Sequence, residues 1–356
     1  MNIKLSAFLL AAAGLSATQS PVDACTGITL KSKDGATVTA RTIEWAASAM
    51  NTYYVVVPRN QMQQSLTPQG ENGLKFTSKH GYVGLAVEQK EYIVEGMNEK
   101  GLVINGLFCK GTIYNKPDAA NNGKPEMSLA VFVSWLLDLN ATTREAVEAL
   151  RNRNFNISGQ TFDGGTVSTL HWAITDASGE TAVFEFVNGE LKIYDKDNTN
   201  SDMLVLTNDP TYNKMLAIND YWKGIGGANM LPGTVKSPDR FVRADYFVHH
   251  VKPTADPDLG MSITRSILMN VSVPYTYTIE SEPNVSSTQW RSFADAKNKR
   301  YYFDIVTNYG VYYIDLEHLD LYKGAPVLKL DTSLHKQFAG CINKELKVSA
   351  PFKPMY

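Results

Sequence analysis

Several absences narrow the chemistry before any motif is considered. Only three cysteines, Cys25, Cys109 and Cys341, occur in 356 residues. That is too few for a disulfide framework, and the odd count leaves at least one thiol free. There is no HExxH and no CxxC pair, so no metal site is legible and no cofactor is expected. No GxSxG elbow marks a serine hydrolase. His249-His250 places two imidazoles side by side, but adjacent helical positions point in different directions, which reads as a surface pair. Gly224-Ile225-Gly226-Gly227 does not open a helix after a strand and reads as a loop. A charge excess is missing too: 34 basic against 36 acidic side chains leave a formal charge of −2. No footprint for nucleic acid or an anionic membrane follows from that balance. Internal repeats, heptads and low-complexity tracts are absent. What the chain does have is 18 tyrosines and 5 tryptophans, the composition of a well-packed globular protein.

The N-terminus reads as a removable leader. Lys4 supplies a positive start, residues 5–17 form an alanine- and leucine-rich apolar run, and Val22-Asp23-Ala24 carries small or short residues before a cut at Cys25. The apolar run is too short to cross a hydrocarbon core of ~30 Å as a stable helix. The expectation is a signal peptide over residues 1–24 and an exported bacterial protein, periplasmic or secreted, without stable membrane insertion. A lipid-anchored alternative, with the lipid on Cys25, is favoured by Ala24 and disfavoured by Asp23 and Val22. Residues 25–356 show no linker that splits them and read as one domain.

Cleavage there would give Cys25 two of the groups that amide hydrolysis needs. Its thiol is a nucleophile, and its freed α-amine, with a reference pKa of ~7.7–8.0, can act as general base near neutral pH. The competing reading is a buried structural cysteine, the commoner fate of this residue type.

Along the chain, strand-like runs dominate. Residues 26–30 and 36–41 flank the turn Lys33-Asp34-Gly35 as a hairpin. Further strands are expected at 53–57, 82–87, 91–94 and 102–107, the last two around the turn Asn98-Glu99-Lys100-Gly101. Residues 127–139 are apolar at helical spacing, and a second helix follows with Thr142 as N-cap and Glu145 completing a capping box. Strands return at 170–175, 181–186, 191–194 and 203–206. Ser237-Pro238 predicts a helix with serine as N-cap, whose Phe241, Ala244 and Val248 make an apolar stripe. The tail carries strand pairs around Trp290, Tyr302 and Tyr312. Strands, then helices, then strands argue for antiparallel sheets layered with helices, an α+β fold.

At this point a resemblance emerges. Cys25-Thr26-Gly27-Ile28-Thr29-Leu30, Lys33-Asp34-Gly35 and Ala40-Arg41-Thr42-Ile43-Glu44-Trp45 resemble the opening of choloylglycine hydrolases and penicillin V acylases. Glu95-Gly96-Met97-Asn98-Glu99-Lys100-Gly101-Leu102 is similar to the turn between strands in that family. Leu206-Thr207-Asn208-Asp209-Pro210 resembles its asparagine motif, and Leu231-Pro232-Gly233 with Arg240-Phe241-Val242-Arg243-Ala244 its arginine motif. The matches fall in order over most of the chain.

The resemblance implies an N-terminal-nucleophile hydrolase with an αββα four-layer sandwich, a small-molecule amide as substrate and assembly as a homotetramer. It implies that Arg41 lies beside the thiol, where a fixed cation favours the thiolate. Asn208 would present its amide to the developing oxyanion, helped by a backbone N–H near Phe108. Glu44 would lie close to the α-amine, Arg240 would hold the charges of the site, and Trp45 and Phe108 would meet the substrate. Two positions depart from the family pattern: glutamate stands at 44 where aspartate is usual, and phenylalanine at 108 where bile-salt hydrolases carry asparagine and penicillin acylases tyrosine. Hydrolysis of glycine or taurine conjugates of bile acids is the leading expectation. Penicillin V or acyl-homoserine lactones are the alternative, and a non-enzymatic exported binding protein is the third.

Overall fold

The computed structural model describes residues 25–35, 37–45, 51–114, 123–159, 167–278, 286–332 and 337–356. The leader assigned to residues 1–24, and Ala36 at the start of one expected strand, lie outside them.

Threonine, valine, isoleucine and tyrosine fill the strand interiors, and their branched or flat side chains suit a pleated surface packed on both faces. The first strand, Thr26–Lys31, is buried at every position but its last, and the second, Thr37–Trp45, at every position but its last. Such continuous burial means that both faces are covered. One seven-stranded sheet runs in the order Val205–Thr207, Thr26–Lys31, Thr37–Trp45, Ser287–Asp295, Arg300–Ile305, Tyr312–Asp315, Gly340–Cys341. A nine-stranded sheet runs in the order Glu190–Tyr194, Thr181–Val187, Leu170–Thr175, Val103–Phe108, Ile93–Asn98, Tyr82–Val87, Thr52–Val57, Leu328–Asp331, Lys347–Val348. The sheets meet face to face: Thr29 Oγ1 lies 3.1 Å from Thr175 Oγ1, and the Tyr54 ring packs on Phe303.

Helices cover the outer faces. α1 (Leu129–Leu139) and α2 (Thr143–Arg151) lie on the nine-stranded sheet, while α4 (Ser237–His250) and α5 (Pro257–Val271) lie on the seven-stranded one, with α3 (Tyr212–Ile225) against α4. The architecture is the αββα sandwich. α1 is buried almost all round, which fits a sequence that is apolar at all but Ser134 and Asp138. Among the described residues no helix is long and apolar enough to cross a membrane.

Several local readings change. The 127–139 run splits, because Glu126–Ser128 pairs as a short parallel strand with Asn156–Ser158 before α1 starts, and Ser128 caps it by accepting from Ala130 N at 3.2 Å. The Thr142 cap is present, with Glu145 N donating to its hydroxyl at 3.2 Å, but the return contact from Glu145 lands on Ala141 N. Ser237 is not an N-cap: Lys236 takes that position, and the Ser237 hydroxyl donates sideways to Thr207 Oγ1 at 2.9 Å. Gly224 and Ile225 close α3 rather than lying in a loop. α5 went unread although Asp256-Pro257 is a start signal; the Asp256 carboxylate accepts from Asp258 N and Leu259 N.

Candidate active site

Cys25 immediately precedes the first strand, whose Thr26 is in register with Thr42 on one side and with Thr207 on the other. Three distant segments therefore converge on this residue. Strand side chains alternate between faces, which sorts the neighbours. Arg41 points between the sheets: its Nη2 lies 3.5 Å from Cys25 Sγ and its Nη1 donates to Glu95 Oε2 at 2.9 Å. Both members of that ion pair are buried. Burial works against the Arg41 cation, but Glu95 and the Cys25 thiol outweigh it and hold the guanidinium above its usual value.

Thr42 and Glu44 point the other way, toward the helices. Glu44 is fully buried, with one carboxylate oxygen accepting from Thr42 Oγ1 at 2.8 Å and the other from Thr288 Oγ1 at 2.7 Å. Thr42 Oγ1 in turn accepts from Thr26 N at 3.1 Å. Glu44 therefore braces the first strand from behind through Thr42 and Thr288. Burial pushes its carboxyl above the usual range, against the opposing pull of Arg240 and the two hydroxyls.

The Cys25 nitrogen donates to Asn208 Oδ1. Arg240 Nη2 donates to the same oxygen at 3.0 Å, and Asn208 Nδ2 donates to Phe108 O at 2.8 Å. These partners fix the orientation of the amide, since a guanidinium can only donate and a carbonyl can only accept. The backbone amides after Phe108 are spent: Cys109 N donates to Thr169 O, and Lys110 N and Gly111 N donate to the Asp209 carboxylate.

Arg240, which could have been a solvated first-turn residue of α4, is fully buried. It donates to Cys25 O at 2.7 Å, to Val235 O at 2.9 Å and to Thr26 Oγ1. Trp45 and Phe108 end their strands partly exposed. Sequence reading missed Glu95, Thr42 and Thr288 as parts of the site. Glu95 stood within a quoted motif, but its partner depends on how the two sheets stack, which local patterning does not encode. Among the described residues, Cys109, His171 and Glu185 also bring donor atoms within 4.8 Å of one another, a group suited to a cation; those of His171 and Glu185 already bond within the protein.

A thiol beside a fixed cation, with the nitrogen of the same residue held by a buried amide, is an arrangement suited to attack on a carbonyl. Comparison with known proteins agrees. A profile of the family described as linear amide C–N hydrolases, choloylglycine hydrolase family, matches residues 25–333. A penicillin V acylase of Pectobacterium atrosepticum is 31% identical over 89% of this chain and 87% of its own. A bile salt hydrolase/transferase of Clostridium perfringens is 26% identical over 83% of this chain and 94% of its own. The solved penicillin V acylase from Agrobacterium tumefaciens matches with a TM-score of 0.80 at 34% identity, covering 93% of this chain and 99% of that one. With its nucleophile geometry, its αββα fold and these likenesses in agreement, the chain belongs to the choloylglycine hydrolase family of linear amide C–N hydrolases.

Proposed function

We propose that this chain is an exported cysteine amidase, activated by removal of residues 1–24, which hydrolyses the side-chain amide of penicillin V-type substrates. The observation that carries the reading is the grip on both functional atoms of one residue. Cys25 Sγ lies 3.5 Å from Arg41 Nη2 while Cys25 N sits on Asn208 Oδ1. Once the leader is cut, that nitrogen is an amine able to take the thiol proton. The thiolate attacks the amide carbon, and the carbonyl π pair moves to oxygen. Phe108 O occupies one of the two Asn208 Nδ2 hydrogens, so the second serves the oxyanion. Collapse breaks the C–N bond, the leaving amine takes the proton from the Cys25 ammonium, and a thioester remains. Water, deprotonated by the amine, then releases the carboxylic acid and restores the thiol.

For maturation, the support is the leader pattern of Lys4, residues 5–17 and Val22-Asp23-Ala24, together with a family match that begins at Cys25. For substrate, identities of 31% and 34% to proteins named penicillin V acylase, against 26% to a bile salt hydrolase/transferase, move the leading expectation from bile salts to penicillin V. Phe108 retains an aromatic ring at the position where the family resemblance separates the two groups. The test is kcat/KM of the matured enzyme on penicillin V beside glycine and taurine conjugates of cholate. A higher value on either conjugate would return the substrate to bile salts. Full activity in a preparation shown by mass to retain residues 1–24 would remove the N-terminal-nucleophile mechanism.

A further inference from the structure

One buried polar cluster takes no part in the chemistry above. Cys109, His171 and Glu185 are all without solvent exposure and stand directly behind the Asn208 segment. His171 Nε2 lies 2.7 Å from Thr207 O, the carbonyl that precedes Asn208, and its Nδ1 lies 3.4 Å from Glu185 Oε2. Thr207 O can only accept, so Nε2 carries the hydrogen of that bond, and Nδ1 is left to Glu185 and to the Cys109 thiol, which also hydrogen-bonds the ring. Burial alone would lower its pKa, yet Cys109 and Glu185 push it up to about 10. Glu185 is anchored in turn, because both its oxygens accept from Tyr212 N at 3.1 Å and one from Tyr194 OH at 3.3 Å. Tyr212 is the first residue of α3. His171 and Glu185 thus grip the connection from Thr207 to Tyr212 at both ends, with Asn208 between the grips.

The geometry points to His171 as a positioning residue: a buried imidazole strut that fixes the Thr207 carbonyl and so aims the Asn208 amide at Cys25. The ring nitrogens are taken up by this strut, and Glu185 by the helix start, so the cluster is a mechanical element rather than an open ligand set. On the far side, Asp209 is held by Lys110 N at 3.0 Å and Gly111 N at 3.3 Å. His171 supplies the complementary hold from beneath. A carbonyl displaced by a fraction of an ångström carries its neighbouring side chain with it, and catalysis is sensitive to misplacement on that scale.

The test uses two amides that imitate different ring nitrogens. Glutamine reaches about as far as Nε2 and can donate to Thr207 O; asparagine reaches only as far as Nδ1. His171→Gln should keep kcat within threefold of wild type, while His171→Asn should lose tenfold or more in kcat with KM within threefold. A role in filling space alone predicts that the two behave alike. The kinetic arm rests on the amidase reading; the second arm does not. Hydrogen exchange of the peptide covering residues 204–212 should quicken tenfold or more in His171→Asn and stay near wild type in His171→Gln. Equal kcat and equal exchange in the two variants would overturn the proposal. So would stoichiometric zinc uptake by the wild-type enzyme that His171→Gln loses, since His171 would then be a ligand.

Discussion

Removing the charge of Arg41, of Glu95, or of both should reorder the reactivity of Cys25 in a sequence that no packing effect imitates. Unit charges 3.5 Å apart, the separation of Arg41 Nη2 and Cys25 Sγ, attract by about 5 kcal/mol at an effective dielectric of ~20. Arg41→Met deletes that attraction and leaves the buried Glu95 carboxylate facing the same space. Even half of the attraction, at about 1.4 kcal/mol per tenfold, would slow alkylation of Cys25 at pH 7 by roughly 60-fold. Glu95→Gln acts in the opposite sense, because the Arg41 charge is then unopposed. Alkylation should hold or quicken while stability falls by about 3–5 kcal/mol, the usual cost of orphaning one partner of a buried pair. The double variant removes a pair of no net charge and should lie between wild type and Arg41→Met. The assay is the iodoacetamide rate on matured, folded protein, read on the Cys25 peptide by mass spectrometry because Cys341 is exposed and also reacts. Alkylation of Arg41→Met within threefold of wild type would refute the electrostatic argument, whatever its effect on turnover.

Asn208→Ala should lower kcat by ~10²-fold or more with little change in KM, the mark of a donor used in the transition state; single-turnover and steady-state kinetics check the split. Glu44→Asp shortens the reach to two hydroxyls, at Thr42 and Thr288. One contact should be lost at ~1–3 kcal/mol, and an unchanged Tm would dismiss the bracing role. His249 is hydrogen-bonded to Asp202 and lifted to about 9, above its reference of ~6.5. A raised folded pKa adds stability that is full below pH ~6.5 and lost as pH rises through about 9. The Tm advantage of wild type over His249→Gln, about a degree or two for so exposed a pair, should fade across that window.

The sheets were readable where both faces are buried, because residues such as 170–175 must be β-rich whatever they touch; that strand falls on Leu170–Thr175 as read. α3 and α5 were not seen, since α3 mixes tyrosine, asparagine and glycine with little periodicity and buries only Tyr212, Met215 and Asn219. Within the site, Cys25 and Arg41 could be found from the leader boundary and the motif, and the structure brings them together with Asn208 and Arg240. The bond from Thr288 to Glu44 was not legible, because Thr288 lies 244 residues away on a neighbouring strand. Glu95 and His171 were invisible for the same reason: each acts through a partner on another element, 54 residues away for Arg41 and 36 for Thr207.

The hold on Cys25 also has a consequence in time. Its nitrogen is bonded 183 residues downstream and its carbonyl 215 residues downstream, and its strand is hydrogen-bonded to Val205–Thr207 on one edge. Contacts of that span close late in folding, since the loop entropy is lost before they return anything. A chain still emerging, or only partly folded, therefore carries a cysteine without its arginines, its amide or its sheet. The contacts around Cys25 are complete only when residue 240 is in place, so the fold assembles this cluster late.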